Sequence, residues 1–256
     1  MKKTILSLLV VCGCAAAAHA EQTTLDLFAS TEHWQLTNKQ YPGATPAIDT
    51  VNKVLTASAP GQAGWGRGCA IYTFATPISL TNATDTLTFS FDLTQTDADV
   101  LSSVALVGDS QTIVMGSHYN WESLQYGLIS KGTDDGADMT YSAGASTWTN
   151  YYAANADYGQ RYDLIAVDTS NPVTISGEIA YANDQYVLTL TTGSVTKTLN
   201  LGDSVQVNQI SIALDGPSNK FPAVSKLTIT APVPEPATAT LSLLALAGLA
   251  ARRRRH

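Results

Sequence analysis

Alternation of apolar and polar residues with a period of two is the feature that most constrains the fold of this chain. In the segment 87–93 every second residue is Leu or Phe, and the residues between them are Thr, Ser and Asp. This pattern is typical of a strand with one face on a core and the other toward water. It recurs in the segment 173–214, where turn residues at 183–184, 192–194 and 202–203 separate successive runs. We therefore predict a meander of antiparallel strands over this segment.

The remainder of the body also predicts strands and no long helix. Between the two terminal segments we find no amphipathic helix of three turns, and short threonine-rich runs are separated by Gly, Asn and Asp. Such a pattern favours an all-β fold, an antiparallel β-sandwich of two sheets. About 210 residues can bury one sizeable core, so we expect residues 21–230 to form a single domain. Further strands are predicted at 71–74, 101–107, 111–115, 126–129, 162–167 and 227–230.

A family resemblance narrows the architecture. The segment from Val173 to Gly216, followed by a last strand near Leu227, contains a Gly-bearing strand, a Tyr-x-Leu strand and a late ISIALDG strand. In this order it resembles the C-terminal half of concanavalin-like or laminin-G-like jelly rolls. The resemblance implies a lectin-like jelly roll for the body and carries no diagnostic functional motif.

Charge and cysteine content limit the partners of the body. Residues 21–233 carry 8 Lys and Arg against 20 Asp and Glu, a net charge of −12. Such a body repels nucleic acid and anionic lipid. Its single cysteine, Cys69, lies in an apolar run, so we expect a buried small residue and no intrachain disulfide.

The N-terminus predicts export. Two lysines precede an apolar run over 5–18, and the small residues Ala18 and Ala20 occupy the positions that signal peptidase reads. We expect residues 1–20 to be removed as a signal peptide. The alternative is a lipoprotein signal with Cys14 lipidated, although its sequence context is a weak match.

The C-terminal segment 231–256 has three parts: the triplet Pro234, Glu235 and Pro236, an apolar run over 237–251, and a basic end. The basic end is Arg252, Arg253, Arg254 and Arg255. The 15-residue apolar run gives a helix of roughly 22 Å, short of the roughly 30 Å hydrocarbon core, yet it can insert if flanking residues snorkel. Basic residues stay cytoplasmic, so this short transmembrane helix would place the body outside the inner membrane.

The three parts in this order resemble the PEP-CTERM sorting tail of Gram-negative bacteria. The resemblance implies recognition and cleavage by the membrane transpeptidase exosortase, delivery to the cell surface or extracellular matrix, and an association with exopolysaccharide. The alternative is a plain membrane anchor that is never cut, which explains the apolar run and the arginines but not the triplet.

Motifs for catalysis are missing from the sequence. His33 and His118 have no ligand partners at metal spacing, and no nucleophile elbow or phosphate loop occurs. Jelly-roll glycoside hydrolases cluster carboxylates on one strand, whereas Glu122 and Glu178 stand alone here. A pair assembled from separate strands stays open, because the required distance is in space and not in sequence.

Two features of the long segment 131–160 suggest ligand binding. Its aromatic residues could stack on sugar rings, or could instead cover a sheet edge. These residues are Trp148, Tyr151, Tyr152 and Tyr158. Three carboxylates around a glycine turn, Asp134, Asp135 and Asp138, could hold calcium, although Asp and Gly are also what plain solvated turns prefer. We interpret the glycine-rich segment 61–68 as a tight connection.

These observations predict an exported β-sandwich at the cell surface or in the matrix, with a glycan-binding or adhesion role and no catalytic motif. The expected partners are signal peptidase and exosortase during export, the inner membrane before processing, and extracellular glycans. A secreted glycan-cleaving hydrolase and a purely structural coat protein remain the alternatives.

Overall fold

The computed structural model describes residues 22–38, 44–59, 65–97, 100–117, 123–130, 159–166, 168–217 and 220–232. These residues form fifteen strands and no helix. The strands are β1 (Gln22–Asp26), β2 (Trp34–Asn38), β3 (Thr45–Asp49), β4 (Val54–Ser58), β5 (Trp65–Leu80), β6 (Leu87–Thr94), β7 (Leu101–Val107), β8 (Gln111–Ser117), β9 (Ser123–Ser130), β10 (Gly159–Ala166), β11 (Val173–Ala182), β12 (Gln185–Thr192), β13 (Val195–Gly202), β14 (Val205–Pro217) and β15 (Ala223–Pro232).

The strands form two antiparallel sheets. Sheet A has the order β13-β12-β11-β6-β15-β4-β3, and β1 pairs with β15 beside β4. Sheet B has the order β10-β9-β8-β7-β14-β5-β2. The predicted all-β sandwich of two antiparallel sheets is confirmed.

The core lies between the sheets and is built by the alternation seen in the sequence. Phe91 and Leu188 from sheet A and Met115 and Ile212 from sheet B are all fully buried. Burial of one such side chain contributes about 1.5–3 kcal/mol relative to leaving it exposed. Cys69 is likewise fully buried, as its apolar surroundings predicted.

The predicted meander is correct for three strands and wrong for the fourth. Strands β11, β12 and β13 form consecutive hairpins, and Asn183 and Asp184 have φ values of 52° and 64°, as a type I′ turn requires. Strand β14, however, crosses to sheet B and pairs with β7 and β5. The burial of the strands accounts for this separation, because β13 is mostly exposed, as befits an edge, whereas β14 is buried on both faces along most of its length.

The glycine-rich segment is not a tight connection over its second half. Gly66 and Gly68 belong to β5, and a Cβ at either position would lie 2.8 Å from the Cβ of Ala44 or of Ala57, respectively. The glycines therefore let the β3–β4 hairpin of sheet A approach β5 of sheet B closely, which larger residues would prevent.

The two ends of the described chain meet in one strand pair. Gln22, the first residue of β1, is opposite Pro232, the last residue of β15, and the pairing continues through Leu25 and Ile229. Opposite residues of antiparallel strands have Cα atoms about 5 Å apart.

The outer faces of the two sheets differ in accessibility. On the outer face of sheet B, Ile71, Val114 and Ala213 are at most 3% exposed. On the outer face of sheet A, by contrast, Thr88 and Thr191 are exposed. A ligand therefore reaches the outer face of sheet A without any rearrangement of the described strands.

Candidate functional site

Two rows of polar side chains cross the outer face of sheet A, perpendicular to the strands. Strands β1, β15, β6, β11, β12 and β13 each contribute one residue to each row, two positions apart along the strand. The first row is Thr24, Thr230, Thr88, Glu178, Thr189 and Thr198. The second row is Asp26, Thr228, Ser90, Ser176, Thr191 and Thr196. Ten of these twelve positions carry a hydroxyl group, so the face is rich in groups that both donate and accept hydrogen bonds.

Sheet geometry sets the dimensions of the two rows. Neighbouring strands lie about 4.8 Å apart, so six strands make each row about 24 Å long. Outer residues two positions apart on one strand are about 6.8 Å apart, which is the separation of the rows.

A groove runs between the two rows. It has a volume of about 380 Å³, and its walls are formed by row residues of β15, β6, β11 and β12. Its floor is formed by Phe89 and Gly177, which are paired across β6 and β11. Because the side chain of Phe89 is buried in the core, these two residues present their backbone to the groove.

Some hydroxyl groups of the rows bond to one another and others stay available. The Thr24 and Thr230 hydroxyl oxygens are 2.8 Å apart, and those of Ser90 and Ser176 are 3.0 Å apart. Thr88, Thr189 and Thr191 make no side-chain hydrogen bond within the part of the chain that the structure describes. Their hydroxyl groups can therefore exchange hydrogen bonds with a ligand at no cost in existing contacts.

An ion pair lies on the outer face of sheet A just beyond the second row. The Lys226 ammonium lies 2.8 Å from an Asp92 carboxylate oxygen, and the Thr174 hydroxyl donates to the other oxygen at 2.6 Å. Burial alone raises the pKa of Asp92, but the hydrogen bonds from Lys226 and Thr174 and the charge of Lys226 outweigh it and lower the pKa. The same contact raises the pKa of Lys226. Asp92 is therefore ionised and neutralised by its partner at neutral pH.

The acidic residues of this face lie at widely separated backbone positions. Glu178 is opposite Thr88, and Asp92 lies four residues further along the same strand, a separation of about 13 Å. Asp26 is three strands from Glu178, about 14 Å away. These are separations between backbone positions, and they exceed the roughly 5 to 9.5 Å that separates the carboxyl groups of glycosidase pairs.

The aromatic and acidic residues predicted from the sequence to bind ligands fall outside the described ranges. They are Trp148, Tyr151, Tyr152, Tyr158, Asp134, Asp135 and Asp138. The signal-peptidase site and the sorting triplet also lie outside them. Within the described ranges, His, Cys, Asp and Glu form no group of three that could hold a metal ion.

The two rows were not predicted from the sequence, although their signal is present. Each of the six strands carries a pair of polar residues two positions apart, such as Thr88 with Ser90 and Thr189 with Thr191. The alternation identified these residues as the water-facing half of each strand. Their alignment across the sheet requires the pairing register, which a single strand does not encode.

Residues 232–255 match the PEP-CTERM protein-sorting motif. This match confirms the interpretation of the C-terminal tail and indicates an exported protein that is sorted to the envelope of a Gram-negative bacterium. The motif also implies a terminal transmembrane helix and processing by exosortase. Among the described residues no helix is long and apolar enough to cross a membrane. Comparison with curated proteins gives no sequence match.

The body resembles solved jelly-roll structures. Endo-1,3-β-glucanase from Streptomyces sioyaensis matches 86% of this chain and 99% of its own at 14% identity and a TM-score of 0.54. The Emp47p carbohydrate recognition domain matches 78% of this chain and 89% of its own at 10% identity and a TM-score of 0.48. The VIP36 lumenal domain, solved with Ca²⁺ and Man3GlcNAc, matches 83% and 89% at 6% identity and a TM-score of 0.48. At these identities the likeness is one of fold, and it confirms the jelly-roll architecture.

Proposed function

We propose that this protein is an exported β-sandwich, held at the cell surface or in the extracellular matrix, that binds glycans on the outer face of sheet A. The sorting motif supports export, and the groove between the rows supports the ligand class. The observation that carries the proposal is the concentration of ten hydroxyl groups in two solvent-facing rows. Sugars present hydroxyl groups at similar density, and both partners donate and accept hydrogen bonds. Carbohydrate-binding jelly rolls among the structural neighbours agree with this ligand class but share only the fold.

In the proposed export route, signal peptidase cuts after Ala20 while the apolar run over 237–251 stays in the inner membrane. Exosortase then recognises the triplet Pro234, Glu235 and Pro236, in which two prolines disfavour continuation of a helix. We expect replacement of the triplet by three alanines to leave the full-length protein in the inner-membrane fraction. Thr238→Ala, which keeps both the triplet and the apolar run, is the control. Equal surface delivery of both variants would contradict the route.

Glycan binding is tested with the processed body, residues 21–232, which contains every described strand and the core. We expect binding to at least one class of polysaccharide on a glycan array. If binding fails for every glycan, with and without calcium, the adhesion role is wrong and a structural coat becomes the better description.

Calcium is a separate arm of the same array. Loss of binding in EDTA and in a variant with Asp134→Asn, Asp135→Asn and Asp138→Asn assigns the ion to the predicted turn. Binding that is unchanged in both assigns recognition to groups other than that turn. Trp148→Ala and Tyr151→Ala test in parallel whether the aromatic segment contributes.

A hydrolase is separated from a binding protein by the reducing ends that it releases from a polysaccharide. Activity that is abolished by Glu122→Gln or by Glu178→Gln would replace the binding proposal with an enzymatic one. Unchanged polysaccharide length after prolonged incubation supports binding alone.

A further inference from the structure

We propose that the groove on sheet A holds one soluble chain of an uncharged polysaccharide, and that the chain lies across the strands. This inference rests on the proposed function and adds the direction, the charge and the minimum length of the ligand. It follows from the pairing register, the ion pairs beside the rows, and the chemistry of the row residues.

The direction of the bound chain follows from the extent of the hydroxyl rows along and across the strands. On the central strands the two hydroxyl rows are bounded by Ala180 and Val187, which are opposite each other on one side, and by the Asp92–Lys226 ion pair on the other. Across the strands the rows continue for about 24 Å. The strand spacing of about 5 Å is close to the length of one sugar unit in an extended chain, so about five units fit along the rows and about three of them lie within the four-strand groove.

The expected charge of the ligand follows from the ionised groups within and beside the two rows. Asp92 is paired with Lys226 at 2.8 Å, and Asp26 lies 3.6 Å from the ammonium of Lys53. Glu178 forms no ion pair among the described residues and is therefore the one uncompensated charge of the two rows. A face with one negative charge, on a body of net charge −12, repels polyanions. An uncharged polysaccharide is not subject to this electrostatic repulsion.

Side-chain chemistry argues against a folded protein as the occupant. Stable protein interfaces are centred on aromatic, Met or Arg side chains that become buried on binding. The twelve row positions contain only Thr, Ser, Glu and Asp. These residues favour a partner that forms many hydrogen bonds and buries little apolar surface.

Sheet twist favours a single soluble chain over a crystalline polysaccharide as the ligand. Neighbouring strands rotate by about 20–25° relative to each other, so the rows curve across the sheet. A single soluble chain can follow this curve, whereas the flat surface of a crystalline polysaccharide contacts only a few strands.

The test measures the affinity of residues 21–232 for linear neutral glucan oligosaccharides of two to eight units by calorimetry. Polygalacturonate serves as the acidic polysaccharide, and crystalline cellulose as the flat one. We expect affinity to rise with length until about five units and then to level off. The double variant Thr88→Val and Thr189→Val removes two hydroxyl groups while keeping shape and strand propensity, and we expect it to bind at least about tenfold more weakly. Thr76→Val, an exposed substitution on β5 of sheet B, is the matched control and should bind as the parent does.

The outcomes separate the inference from the function on which it rests. Length-dependent binding of neutral chains that is lost in the double variant supports the inference. Preference for polygalacturonate or cellulose, or neutral binding that the double variant retains, overturns the inference and leaves glycan binding in place. If no member of this panel binds but another glycan on the array does, the inference alone is wrong. Failure of every glycan refutes both.

Discussion

The contact between Gly177 and the Phe89 ring offers the sharpest test of how the sandwich is built. The two residues are opposite each other on β11 and β6, and an ideal Cβ on Gly177 would lie 2.1 Å from Cζ and 2.4 Å from Cε1 of the ring. The Phe89 ring therefore packs in the space that a side chain at Gly177 would occupy. Gly177→Ala forces the ring or the backbone to move.

The magnitude follows from two opposing effects. Overpacking a filled core costs about 1–3 kcal/mol, whereas replacing Gly by Ala stabilises by about 0.4–1 kcal/mol through the unfolded chain. We expect Gly177→Ala to lower the free energy of unfolding by about 1–2 kcal/mol, since the clash outweighs the entropy. Phe89→Ala alone should cost about 3–5 kcal/mol.

Urea denaturation of the two single variants and the double variant measures the coupling. Because the alanine methyl group of Gly177→Ala occupies space that the ring leaves, the double variant should lose less stability than the two single variants together, by about 1–3 kcal/mol. Gly193→Ala is the control, because Gly193 has a φ of 55° and no atom within 4 Å of its Cβ position. That change should be destabilising through backbone strain and additive with Phe89→Ala. Additivity at Gly177, or a neutral Gly177→Ala, would refute the reasoning.

Two further predictions concern ionisation and a buried hydroxyl group. Because the pKa of Asp92 is lowered in the folded state, its contribution is complete above the unfolded value of 3.8 and is lost as pH falls through the folded value. The parent should therefore lose more stability than Asp92→Asn between pH 5 and 2 in urea titrations, and an equal loss would contradict the Lys226 contact. The Tyr186 hydroxyl donates to the Asn82 carbonyl at 2.7 Å, and burial, followed by the charge of Asp85, raises the pKa of Tyr186 to about 12. Tyr186→Phe should cost about 1 kcal/mol and remove the latest phenol transition from a spectrophotometric titration, and an unchanged titration would show that this hydroxyl is not buried.

Periodicity predicted the strands whose two faces differ most. Strand β6 alternates buried residues with more accessible ones over its first half, and its sequence pattern located it to within one residue. Strands β1 to β4 were not predicted, because they are short and β1 is exposed at every position. Such strands are formed by pairing: β1 and β4 pair with β15, β2 pairs with β5, and β3 pairs with β4, and local sequence does not report these partners.

The sheet to which a strand belongs was harder to predict from the sequence than the existence of the strand. Strand β14 follows β13 along the chain but belongs to the other sheet, and alternation is the same for a strand in either sheet. Gly66 and Gly68 look like turn residues, yet they are strand residues whose missing side chains make room for Ala44 and Ala57. The candidate site depends on the same information, since the two rows exist only through the register of six strands.

The pairing of Gln22 with Pro232 places the two ends of the described chain side by side, which bears on how the precursor is attached to the membrane. The predicted signal peptide ends two residues before Gln22, and the sorting triplet begins two residues after Pro232, so both membrane segments leave the sandwich at one corner. In the proposed export route the body would be held through this one corner of the sandwich, whichever segment is cut first. Thr24 and Thr230 place the near end of the rows at this corner, and Thr198 marks the far end on β13. A sugar chain that follows the proposed rows would therefore lead away from the corner at which the two termini meet.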